Sequence, residues 1–264
     1  MITFWHWHTE PLLLGGILLF AWIYATCVYV FRPRIASDAE QKIGHTLWFY
    51  AGLLTFYIAV GSPIDAIGEN YLFWVHMFQH ILLMYVCPPM LIMGIPAWLI
   101  DNSFGRYRFS AWCFRWFVHP VVSGAGFTII FSAWHVPDLY ELALQDKGVH
   151  IIEHLSVFLP SLGVWWCFMS PSKKFPQLAG GLQMLFIFAL MIGQLPVFAF
   201  LVFANQVYYP TYFYAPRIMA LTAMEDQVMG GVVMKLANLI VSVVIFGKGF
   251  YHLARDSEAI DNPA

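Results

Sequence analysis

Two pairs of histidines carry the spacing of one helical face: His76 with His80, and His150 with His154. Residues four apart on a helix point the same way, about 6 Å apart at Cβ, so each pair can present two imidazoles to one ligand. Glu153 adjoins the second pair, His135 ends the sequence Trp134-His135, and Asp226 opens a later apolar run. Met84 extends the first row by four residues, with Met77 beside it. A neutral imidazole in an apolar setting still has one donor and one acceptor to satisfy. Five of them converging call for a shared ligand, water, or one another, and a metal ion satisfies all at once. Imidazole with thioether suits copper, Cu(I) in particular, whereas imidazole with carboxylate suits zinc or a harder ion. Both donor sets are present, and copper leads without excluding zinc. The Met residues also serve as adaptable core filler.

Other chemistries remain open on the same residues. Two histidines from different helices could be axial ligands of a haem, although the four-residue spacing is more than that needs. A bound metal could activate water, with Glu153 or Asp226 as base. A transporter would need a polar path through the other half of the membrane, where charges are scarce. Of the remaining histidines, His45, His119 and His252 fall at the ends of apolar segments. His6 and His8, in Trp5-His6-Trp7-His8, read as an interfacial anchor in preference to a metal-capture site. Cys27, Cys87, Cys113 and Cys167 form no CxxC pair and read as separate thiols.

The elements that position these groups are membrane helices. Charged residues make up 11% of the chain, against about 25% for a soluble domain. Seven apolar segments approach the roughly 20 residues a span requires: 12–31, 45–62, 71–95, 117–136, 148–168, 179–204 and 228–253. Their runs are continuous, which excludes barrel strands. The expectation is a single all-α domain over 1–264, a bundle of seven transmembrane helices. The start carries no Lys or Arg, so no cleavable signal is expected. Positive charge fixes the expected orientation. Of 13 Lys and Arg, ten (Arg32, Arg34, Lys42, Arg106, Arg108, Arg115, Lys173, Lys174, Lys248, Arg255) fall on one side and Lys147 and Arg217 on the other. The N-terminus is therefore expected outside and the C-terminus in the cytoplasm, with seven histidines outward. Lys235 lies within the last span, where it should pair with an acid, Glu153 being the candidate, or snorkel. No basic run suits nucleic acid.

Two further features bear on the site. Cys87-Pro88-Pro89 interrupts the third span, releasing the carbonyls of Met84 and Tyr85 and kinking the helix below the histidines. The Tyr- and Pro-rich connection 205–227 should form a structured cap that covers the cluster or docks a partner.

Four blocks resemble the CtaG family of multi-span cytochrome c oxidase assembly factors. They are His76-Met77-Phe78-Gln79-His80 running into Pro88-Pro89 and Gly94-Ile95-Pro96; Trp134 to Tyr140; His150 with Glu153-His154-Leu155; and Asp226-Gln227 before Gly230-Gly231. The resemblance implies a bacterial plasma-membrane factor that helps deliver or insert copper during haem–copper oxidase assembly; catalysis is not demanded, and a metal-dependent hydrolase stays open. Its partners would be oxidase subunits or copper chaperones. His76, His80, His135, His150, His154 and Asp226 are its candidate functional residues. Lys235 departs from the aromatic residue expected after the Gly-Gly pair.

Overall fold

Proline punctuates this chain, opening helices where its missing N–H costs nothing and forcing the residue before it out of the helical region. Pro11, Pro63, Pro120, Pro137 and Pro210 each open a helix. Ser62, His119 and Val136 before them are extended. The structure is a computed structural model that describes residues 7–37 and 39–261, with side chains to 258; His6 lies outside the described residues.

The helices in chain order are α1 Pro11–Ile35, α2 Ile43–Gly61, α3 Pro63–Asn70 and α4 Phe73–Gly94. There follow α5 Ala97–Asn102, α6 Arg108–Phe117, α7 Pro120–Trp134 and α8 Pro137–Gln145. The last four are α9 Lys147–Met169, α10 Gly180–Val202, α11 Pro210–Tyr214 and α12 Ala223–Asp261. No strand occurs among the described residues. Among the described residues, six helices or continuous pairs are long and apolar enough to cross a membrane, and a seventh counts only if α6 and α7, bent by 51°, form one span. Within the expected fourth span, 117–136, α7 crosses only if α6 continues it. Fifteen residues of α7 rise about 22 Å, below the roughly 30 Å of hydrocarbon. His119-Pro120 makes the break, and α6 exposes Phe109, Trp112 and Trp116 beside Arg108 and Arg115, as an interfacial helix does.

The most enclosed spans are α4 and α9, each 61% buried over its apolar window against 11% for α1. These two carry the paired histidines. Around them α2 packs on the lower half of α4, α12 on its upper half and α7 on α9, while α10 and α12 pair most extensively. Close approach is set by glycine at the positions that matter for the site. A Cβ on Gly68 of α3 would stand 3.0 Å from the His76 backbone, and one on Gly230 of α12 would collide with Phe73.

The proline interruption of α4 becomes a wide turn, Leu82–Val86, with i→i+5 hydrogen bonding just before Cys87-Pro88-Pro89. The released Met84 carbonyl is taken by Trp165 of α9, whose indole N–H donates at 2.8 Å. A freed carbonyl within a membrane has to be satisfied by a neighbour, and here it ties the two histidine helices together. All four cysteines are free thiols, and Cys87 donates to the Gly52 carbonyl at 3.3 Å.

Lys235 does not meet Glu153. Its ammonium lies 5.4 Å from the centre of the Phe198 ring, a cation–π contact on the neighbouring α10.

Candidate metal centre

The first turns of α4 are fixed by a carboxylate from the start of α12. The Phe73 and Trp74 N–H groups donate to Asp226 Oδ2 and Oδ1, both at 3.0 Å. These N–H groups have no partner within their own helix, and Asp226 supplies one from outside. Asp226 is therefore committed to backbone and is not among the residues whose ligand atoms converge.

One turn further, His76, His80, Glu153 and His154 converge, each with a potential ligand atom within 4.8 Å of the others and all buried. His76 Nε2 and His80 Nε2 are 3.1 Å apart. Glu153 Oε1 stands 3.4 Å from His80 Nε2 and 3.6 Å from His76 Nε2. With metal–nitrogen bonds of about 2.0–2.1 Å, donor–donor edges of a tetrahedral site are about 3.3 Å long. The three edges bracket that value. Both Glu153 carboxylate oxygens and His154 Nε2 are buried without a hydrogen bond. Protein interiors rarely leave such atoms unsatisfied, and a shared cation would satisfy them together. The residues therefore fit an ion held by three imidazoles and one carboxylate.

His135 stands beside the group. Its ring lies 6.4 Å from that of His80, and its Nδ1 donates to the Phe131 carbonyl at 2.7 Å. Only a protonated Nδ1 can make that bond, so Nε2 carries the lone pair, buried and without a partner. Met77 and Met84, the candidate thioether donors, are packed in the main apolar core.

His150 belongs with a second group, Asp65, His150 and His154, which share a 4.8 Å neighbourhood. Asp65 comes from α3, and its Oδ1 accepts from Gln79 Nε2 at 2.5 Å. Asp65 Oδ2 also lies 3.1 Å from His8 Nε2, while His8 Nδ1 lies 3.0 Å from Glu10 Oε1. The Asp65 carboxylate raises the His8 imidazole to about 9, with Glu10 adding to the effect. Lys147 and His8 lower the Glu10 carboxyl to about 2. His8 thus holds the N-terminal segment against the cluster, assisted by its N–H on the Gly61 carbonyl at 2.8 Å.

A lid of three tyrosines closes the same end. The Tyr212 hydroxyl donates to the Gly68 carbonyl at 2.7 Å, which leaves Tyr140 to donate to Tyr212 at 2.9 Å. Tyr209 donates to the His135 carbonyl at 3.0 Å. Burial raises all three phenols above their ordinary value, keeping them neutral donors. The Tyr140 ring, from α8, lies 5.2 Å from that of His76, and the 205–227 connection meets the cluster's surroundings through Tyr212 on Tyr140 and Tyr209 on the His135 carbonyl.

Asp65, Glu69, Gln79 and the tyrosines were not among the sequence-level candidates. Asp65 and Glu69 repeat the four-residue spacing of the histidines in a chain with only 15 acids, a signal that was available.

No curated protein and no solved structure matches the chain. The family model for the cytochrome c oxidase caa3 assembly factor, Caa3_CtaG, matches residues 22–256, almost the whole of the helical bundle described above. With that match over the spans that carry the histidines, the chain belongs to the Caa3_CtaG family of cytochrome c oxidase assembly factors.

Proposed function

We propose that this protein holds copper for a haem–copper cytochrome c oxidase, bound by His76, His80, His154 and Glu153 with His135 in reserve. The observation that carries the reading is the triangle of His76 Nε2, His80 Nε2 and Glu153 Oε1, with edges of 3.1, 3.4 and 3.6 Å. A carboxylate among imidazoles, with no thiolate, favours Cu(II) over Cu(I), and copper binds such N/O sites more tightly than other divalent first-row metals do. An open set of exchangeable imidazoles suits a factor that must release its cargo. The charge distribution supports a bacterial plasma-membrane protein with its histidine end outward, where copper could pass to an oxidase subunit or arrive from a copper chaperone. The imidazoles pack ring against ring, with centroids 4.1–5.6 Å apart among His76, His80, His150 and His154. That packing favours an ion over a haem between them.

Copper content of the purified full chain tests this. The wild type is expected to retain copper, and a folded His76→Ala/His80→Ala variant to lose it. Undiminished copper in the folded double variant contradicts the reading, and exclusive retention of zinc would move it to the zinc alternative.

A further inference from the structure

A row of donors leads from the rim of the bundle to the buried group, and the proposed copper site does not use its first members. Side-chain exposure falls from 40% at Glu10 to 27% at Glu69, 16% at His8, 8% at Asp65 and 6% at His150, reaching zero at Glu153. His150 is the hinge of this row. Its Nδ1 is 3.2 Å from Glu69 Oε1 and its Nε2 is 3.6 Å from Asp65 Oδ1. Both nitrogens are nevertheless buried without a hydrogen bond: Asp65 stands too far from Nε2, and Glu69 lies off the N–H line of Nδ1. The two ring nitrogens diverge, so one ion can complete only one side of the ring, and Asp65, His150 and His154 are the residues whose ligand atoms gather there. His154 belongs both to this group and to the inner one.

We infer that Asp65 and His150, with Glu69 at the mouth, form a second cation station that loads the inner site by ligand exchange through His154. The inference rests on the copper reading above and adds the route by which the ion arrives. The station takes a divalent ion of the Cu2+ or Zn2+ type, since its donors are carboxylate and imidazole. No redox change is involved: the ion gives up Asp65 and His150, keeps His154, and gains His76, His80 and Glu153. A single shared imidazole makes the two positions successive for one ion. Removing an outer donor should therefore change the rate of loading and leave capacity unchanged.

The test is rapid mixing of the full chain in detergent with weakly chelated Cu2+, comparing wild type with Glu69→Gln and Asp65→Asn. Both variants are expected to load at least about tenfold more slowly while reaching the wild-type copper content, in line with the effect of outer groups on metal sites. Asp65→Asn also disturbs Gln79 and His8, so if it fails to fold, Glu69→Gln, on a partly exposed side chain, decides alone. Wild-type loading rates in the folded variants overturn the relay while leaving the copper site intact. A lowered final content at an unchanged rate also overturns it, since Glu69 or Asp65 would then be a ligand of the final site. A wild type that takes up no metal removes the copper reading itself.

Discussion

Trp165 and Met84 are joined by a single hydrogen bond, indole N–H to backbone carbonyl at 2.8 Å, across the interface of the two helices that carry the histidine pairs. Pro88 cannot donate to the Met84 carbonyl, and the helix widens into a π turn just above it. The bond ties α9 to α4 one turn past His80 on α4 and eleven residues past His154 on α9, on the side of the histidines away from the tyrosines. Trp165→Phe keeps an aromatic ring in the core and removes the donor, so it should destabilise the protein by about 1–2 kcal/mol. Thermal unfolding in detergent checks this; an unchanged midpoint would mean the carbonyl finds another partner.

Asp226 is expected to matter for folding rather than for metal. Asp226→Ala leaves the Phe73 and Trp74 N–H groups without their acceptor and should cost about 1–2 kcal/mol, as loss of a helix cap does. Metal content of the folded variant should equal that of wild type. A stable protein that has lost its metal would return Asp226 to the ligand set.

The tyrosine lid gives a third expectation. Tyr212→Phe removes the donor to Gly68 and the acceptor for Tyr140, two bonds that close the cap over His76. Release of bound copper to an external chelator should become faster by roughly five- to tenfold, for about 1 kcal/mol of lost closure. Equal release rates would show that the cap does not limit escape.

In the metal-free protein the N-terminal segment should undock as pH rises. His8 is raised to about 9 against an ordinary 6.5, so it holds its proton more tightly when docked. Its contribution is complete below about 6.5 and is lost as pH climbs through 9. Hydrogen exchange of residues 7–10, corrected for intrinsic rate, should show protection falling over that window. Protection unchanged up to pH 10 would contradict this role for His8.

The helical pairing of His76 with His80 and of His150 with His154 was legible because one helix period determines it, whatever the tertiary fold. The proline interruption of α4 was legible for the same reason, although which residue would satisfy Met84 was not, since Trp165 is 81 residues away. Asp65 and Glu69 carry no span signal because the second apolar segment ends at Ser62. The chain resumes as a helix at Pro63 and turns both acids toward His150. Asp226 looked like a ligand because a carboxylate beside an apolar run needs a partner; nothing in the sequence said that the partner would be backbone from α4. Lys235 found an aromatic ring in place of an acid, a choice set by the packing of α10 on α12.

The central claim is that three imidazoles and one carboxylate, from His76, His80, His154 and Glu153, share one ion. X-ray absorption of the copper-loaded full chain reads that donor set directly. The expected spectrum has multiple-scattering features of three histidines, one further oxygen and no sulfur. A sulfur shell, or scattering from fewer than two imidazoles, would contradict the account.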